Sequence, residues 1–194
     1  MRVLLIDNYD SFTFNLKQLV EELELCELEV LPYNKVDERV IKSFDKFIIS
    51  PGPGIPSDFP KLQHYISKFY DTKDILGICL GFEAIALAFG GEIISSGRVF
   101  HGLAKTTLIA DKENYIFQGV PDNFKSGCYH SWVVKKESFP KDLKITAVAD
   151  DGIIMALSHN QYNVVGFQYH PESIMTKYGR KMVENWLKGN APKF

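Results

Sequence analysis

The sequence has little cysteine: Cys26, Cys79 and Cys128 are the three among 194 residues. An odd number at wide spacing argues against a disulfide framework and for a reducing compartment. The cysteines and the five histidines also lack the close Cys/His spacing of a structural zinc site, and no metal is expected. There is no basic excess. Lys and Arg total 22 against 24 Asp and Glu, a formal net charge of -2, so neither nucleic acid nor an anionic membrane is an expected partner. Long apolar runs are missing too. The opening MRVLLIDNYD is apolar for a few positions and then turns acidic, too short for a signal peptide or a membrane span. A cytoplasmic location is expected. Repeats, low-complexity tracts and Gly/Ser/Pro-rich linkers are also lacking, which predicts a single domain over residues 1–194.

What remains is core-forming material, with 45% hydrophobic and 24% charged residues. Arg2 to Asp7 (RVLLID) is a continuous apolar run, the pattern of a strand buried on both faces. Phe12, Leu16, Leu19, Val20 and Leu23 recur at helical spacing and predict a helix over Ser11–Leu23, with Phe12 in the core. Leu28–Tyr33, Lys46–Ser50 and Ile75–Cys79 read as further strands, and Val36–Phe44, Lys61–Tyr70 and Phe82–Phe89 as helices. Between them, Pro51, Pro53 and Pro56 cannot sit in a ladder or helix interior, so 51–56 is a loop. From Ile93 onward KTTLIA, WVVKK, KITAVA and NVVGFQY are short and β-rich, and predict an antiparallel extension. Tyr178–Leu187 closes the chain as a helix. The fold class expected is α/β: a mostly parallel open sheet flanked by helices, with an antiparallel β extension.

Ligands of open α/β sheets bind at the carboxyl ends of the strands. Two unusual sequences fall there, Ser50-Pro51-Gly52-Pro53-Gly54 and Gly77-Ile78-Cys79-Leu80-Gly81. Gly-x-Cys-x-Gly has the form of a nucleophile elbow, a sharp strand-to-helix turn that exposes one reactive side chain. Cys79 would sit at a helix N-terminus, where the dipole and free amides favour thiolate over the ordinary thiol of pKa about 8.5. The Leu80 amide is suited to an oxyanion hole. The competing reading is a small buried strand-end residue. Cys128 lacks an elbow. Among the histidines, His64 reads as surface, His159 as a hairpin turn, and His101 and His130 as structure in the β-rich region. His170 is more specific. It follows a strand and precedes Pro171, which fixes the backbone, and Glu172, which could hold the imidazole.

Together GICLG, SPGPG and GFQYHPES resemble the class I (triad) glutamine amidotransferases. The start DNYDSFTFNL, residues 7–16, is similar to the glutaminase subunits of chorismate-aminating synthases: anthranilate synthase component II and the aminodeoxychorismate synthase subunit. The resemblance runs from residue 1 to nearly residue 190. It implies that Cys79 attacks the side-chain amide of L-glutamine to form a glutamyl thioester, that His170 is the base, and that Glu172 orients it. Gly52, Pro53 and Gly54 would line the glutamine site, a glycine amide there joining Leu80 in the oxyanion hole. Ser131 and Trp132 match a Ser-Leu pair that grips the substrate's α-substituents. Ammonia would pass to a chorismate-binding synthase subunit, anthranilate synthase component I or aminodeoxychorismate synthase component I. Asp10 and Ser11 would lie near the partner-facing edge. No cofactor is implied.

The pattern is broken where the family reads Cys-Leu-Gly-His-Gln-Ala-Ile and this chain has Cys79-Leu80-Gly81-Phe82-Glu83-Ala84-Ile85. Leu87 also stands where glutamine is common. Phe82 reads as a packing change. Glu83 replaces a substrate-binding amide, loses two donors, could repel the α-carboxylate and, one turn from Cys79, opposes thiolate formation. Three readings compete: a working glutaminase subunit, a non-catalytic subunit degraded at Glu83, and a peptidase acting on γ-glutamyl bonds.

Overall fold

A computed structural model describes residues 1–189; positions 190–194 of the expected single domain lie outside the described residues. The chain runs β1 (Arg2–Asp7), α1 (Thr13–Glu21), β2 (Glu27–Pro32), α2 (Glu38–Lys42), β3 (Lys46–Ile49), α3 (Pro60–Phe69), β4 (Asp74–Ile78) and α4 (Leu80–Ala88). It continues through β5 (Ile93–Ser95), β6 (Leu103–Ile109), β7 (Asn123–Cys128), β8 (Trp132–Val134), β9 (Leu143–Ala149), β10 (Ile154–His159), β11 (Val164–Phe167) and α5 (Gly179–Lys188). Nine strands form one sheet in the order β2-β1-β3-β4-β11-β10-β9-β6-β7, while β5 and β8 make a separate ribbon. The pairs from β2 to β11 are parallel. Those from β11 to β7 are antiparallel.

The apolar strands feed two cores at once. Alternate side chains of a strand point to opposite faces. Val3 and Leu5 of β1 join Leu16 and Val20 of α1 and Met182, Val183 and Trp186 of α5 on one face. Leu4 and Ile6 join Ile41 of α2, Leu62 and Ile66 of α3 and Phe82 and Ile85 of α4 on the other. Hence RVLLID shows no polar alternation. Buried Lys46 in β3 ties α5 down. Its ammonium donates to the carbonyls of Trp186, Leu187 and Gly189 and pairs with Asp74 at 2.7 Å, a cation on the negative end of a helix.

Several boundaries differ from those expected. α1 begins at Thr13, because Asp10 turns the chain first: its carboxylate accepts from the Phe12 amide at 2.8 Å and its carbonyl from Thr13 at 3.2 Å. α2 shrinks to one turn and a half, capped by Asp37, whose carboxylate accepts from the Val40 amide. β7 (NFKSGC) carries no simple apolar run, whereas β10 opens on one, Ile154 to Leu157. β11, expected in the antiparallel extension, instead lies parallel to β4 and antiparallel to β10. It is the seam between the two halves of the sheet. Phe12 is only half-buried and lies outside both cores.

Candidate active site

The seam decides what meets what. Phe167 stands opposite Ile78, and the Cys79 amide donates to the Phe167 carbonyl at 2.7 Å. Cys79 and Gln168 are therefore the first residues past the ends of two adjacent parallel strands, with His170 two positions further on. All leave the sheet at its carboxyl edge, where ligands of such sheets bind.

Cys79 belongs to the turn and not to β4. It caps α4 with φ 51° and ψ -100°, a strained conformation for a residue with a side chain, costing about 1–3 kcal/mol. The flanking glycines make it feasible. A Cβ on Gly77 would lie 2.4 Å from the Gly81 carbonyl oxygen, and one on Gly81 2.6 Å from the Ile49 carbonyl oxygen. Gly77→Ala is accordingly expected to destabilise the fold by about 1–3 kcal/mol, or about 2–4 °C of Tm per kcal/mol for a chain of this size. Calorimetry on the variant checks this, and an unchanged Tm refutes the packing account.

The thiol is held neutral. Cys79 is 7% exposed, and burial first, then the carboxylates of Glu83, Asp10 and Glu172, push its pKa well above the ordinary thiol value. The Leu80 N–H pulls the other way and is outweighed. The dipole-stabilised thiolate expected from the elbow is thus opposed at rest, first because the thiol is buried and then because carboxyl groups stand on the same edge. A base must take the proton.

His170 is the candidate. Its Nδ1 meets Glu172 Oε1 at 2.7 Å, with the Glu172 side chain fully buried. The carboxylate fixes the proton on Nδ1 and leaves Nε2 free to accept. Nε2 is buried and has no hydrogen-bond partner among the described residues. The backbone is pinned as well: the His170 amide donates to Gly127 at 3.0 Å, and the Thr176 hydroxyl donates to the His170 carbonyl at 2.6 Å.

The PGPG loop closes over the elbow. A Cβ on Gly52 would lie 2.6 Å from Leu80 Cδ2 and 2.9 Å from Asn8 Cβ, so the loop backbone abuts the residue after Cys79. Gly54 turns at φ +74° beside Asp58, and both Pro53 and Gly54 are exposed. Ser131 and Trp132 sit four and five residues past Gly127, the bridge partner of His170. Ser131 accepts from the Ser96 amide, and the Trp132 carbonyl accepts from His130 Nδ1 at 2.9 Å. Among the described residues neither hydrogen-bonds to Cys79, His170 or Glu172.

Residues 4–189 match the family described as glutamine amidotransferase class-I. The chain belongs to that family. It is similar to anthranilate synthase component 2 of Pyropia yezoensis, 42% identical over 189 residues, covering 96% of this chain and 98% of the relative. It is also similar to the aminodeoxychorismate/anthranilate synthase component 2 of Bacillus subtilis, 38% identical over 190 residues, covering 96% and 95%. A crystal structure of a glutamine amidotransferase from Thermotoga maritima superposes with a TM-score of 0.77 at 14% identity, over 97% of this chain and 96% of that one, a likeness of fold. Among the described residues no helix is long and apolar enough to cross a membrane.

In this amidotransferase chain Glu83 has an environment the sequence did not disclose. It is 3% exposed, and its Oε1 accepts from Gln168 Nε2 at 3.1 Å. The same Nε2 lies 4.0 Å from Cys79 Sγ. Burial pushes the carboxyl up to about 8, against the stabilising Gln168 bond. Glu83 is therefore neutral at pH 7, regains one donor, and does not repel an α-carboxylate there. Sequence reasoning passed over Gln168, a polar residue inside the apolar run VVGFQY, and Asn8. Buried Asn8 joins the ends of β1 and β3: its amide donates to Ser50 Oγ and its Nδ2 to the Ser50 carbonyl, both at 2.9 Å. No local pattern distinguishes either from a loop residue.

Proposed function

We propose that this chain hydrolyses L-glutamine to glutamate and ammonia and supplies the ammonia to a chorismate-binding synthase subunit, anthranilate synthase component I or aminodeoxychorismate synthase component I. The observation that carries this reading is Cys79 on a strained elbow beside a strand that ends in the His170–Glu172 pair. As Cys79 Sγ attacks the carboxamide carbon of glutamine, its proton passes to His170 Nε2. The oxyanion is held by the Leu80 amide and a glycine amide of the Gly52-Pro53-Gly54 loop. His170 returns the proton to the departing nitrogen, and ammonia leaves a glutamyl thioester. A water, deprotonated by His170, attacks the thioester, and glutamate and the free thiol are regenerated. Glu172 keeps the imidazole in the tautomer this requires. Ser131 and Trp132 hold the α-substituents, and Glu83 contacts the substrate as a neutral acid. Acyl transfer of this kind needs neither metal nor organic cofactor.

The names of the relatives support both aminated products, since one is a component of both synthases. The test is glutamate release from glutamine, measured for the chain alone and with each synthase subunit plus chorismate. Release that rises with one subunit, with the matching aminated product, is expected. No glutamate under any of these conditions overturns the proposal. Glu83 and the raised thiol pKa favour one second reading, a subunit that binds its synthase without catalysis. Complex formation without glutamate release is its outcome.

A further inference from the structure

His170 is anchored through one nitrogen only. Nδ1 is tied to Glu172, whereas Nε2 has no partner among the described residues. Beyond its bond to Cβ the ring has this one polar tether, and a displacement of about an ångström at Nε2 is enough to lose a hydrogen-bonding geometry. Two aromatic rings pack against the imidazole. Phe12 meets the imidazole edge-to-face at 5.1 Å between centroids and 68°. Tyr129 meets it at 4.8 Å and 61°. The two rings also touch one another, with centroids 4.7 Å apart. Such contacts are preferred aromatic geometries and are directional.

Each ring is itself held. Phe12 leads directly into α1, and its amide donates to the Asp10 carboxylate at 2.8 Å. Tyr129 follows β7, and its hydroxyl lies 3.3 Å from Ser173 Oγ, in the turn after Glu172. Gly127 allows this approach, because a Cβ there would lie 2.8 Å from the same Ser173 Oγ. Two distant segments thus converge on one imidazole and its own turn, and neither core includes Phe12.

We propose that Phe12 and Tyr129 form an aromatic clamp that holds the His170 ring in its working orientation, which makes them positioning residues of this site. The proposal rests on the reading of His170 as the base. Phe12→Leu and Tyr129→Leu are each expected to lower kcat about 10- to 100-fold, the size of effect that misplacing a reacting group by about 1 Å produces. KM for glutamine stays within about twofold, since a loosened base leaves ground-state binding intact. Phe12→Tyr and Tyr129→Phe keep the rings and recover most of the loss. In the leucine variants the Nδ1 proton of His170, observed by proton NMR, broadens by exchange; in the ring-keeping variants it stays sharp. A kcat within about twofold of the parent in both leucine variants, or an unaltered Nδ1 proton, overturns the clamp. His170→Gln separates the two claims. If it is inactive while the leucine variants are not, the clamp falls and the base stands. If it retains activity, the base reading falls. Should Phe12→Leu fail to fold, Tyr129→Leu carries the test from the other face.

Discussion

Cys79→Ala is expected to lower glutamate release by about a thousandfold or more and to end covalent labelling by a diazo-ketone glutamine analogue. The proposed thioester has no other sulfur to form on. Cys128 is fully buried, its thiol is pushed up to about 11 by burial, and its Sγ faces the Ser126 carbonyl at 3.8 Å. Cys26 is half-buried and immediately precedes β2, at the amino end of the parallel strands and so at the opposite end of the sheet from Cys79. Alanine meets the same positive-φ backbone as cysteine, so the elbow strain is unchanged and Tm should move little. Loss of activity at near-constant Tm, with mass spectrometry showing label on Cys79 of the parent alone, is the expected pattern. Label on Cys128, or a fall of less than about tenfold, would sink the assignment of the nucleophile.

Glu83→Gln is expected to lower the apparent KM for glutamine and to change the alkaline behaviour of both rate and stability. Glu83 titrates at about 8 in the folded chain against an ordinary carboxyl value of about 4.3. The folded pKa is raised, so the stability linked to this proton is fully present below the unfolded value and is lost as pH rises through the folded one. Between pH 4 and 9 the buried carboxyl therefore costs on the order of a few kcal/mol, which glutamine does not incur. Unfolding free energies of parent and variant should coincide near pH 4 and diverge toward pH 9, the variant being the more stable. The rate follows the same charge. Below pH 8 Glu83 is neutral; above it an anion forms beside a thiol whose pKa that carboxylate already raises. Parent activity should fall above about pH 8 and the variant's should not, as read from kcat/KM profiles. Parallel profiles, with no change in KM, would remove Glu83 from the account.

The sequence made the parallel half of the fold legible because burial on both faces leaves no alternation to misread. RVLLID, KFII and DILGI announce strands without needing a partner. The GICLG turn was equally readable, since its glycines answer a local steric demand. The seam was not. VVGF pairs with β4 across a gap of 89 residues, and nothing within the segment tells parallel from antiparallel. Phe12 fitted a helical stripe, yet its ring turns toward His170 because Asp10 delays the helix by two residues. The protonation of Glu83 was out of reach for the same reason. It depends on burial that only the assembled sheet creates, set against an opposing bond from Gln168, 85 residues away.

The place of β11 also sets a timetable. It fills a slot between β4 and β10, both made before it, and it is the last strand among the described residues. During synthesis Cys79 emerges long before Phe167 can hold its amide or His170 can reach it. Until then it is an ordinary thiol on an unfinished turn, and two strand edges wait unpaired, the kind of surface that invites mispairing between chains. On the proposed mechanism, the pieces of the active site and a closed sheet arrive in one step. A chain cut short before residue 164 is then expected to release no glutamate from glutamine and to present open strand edges.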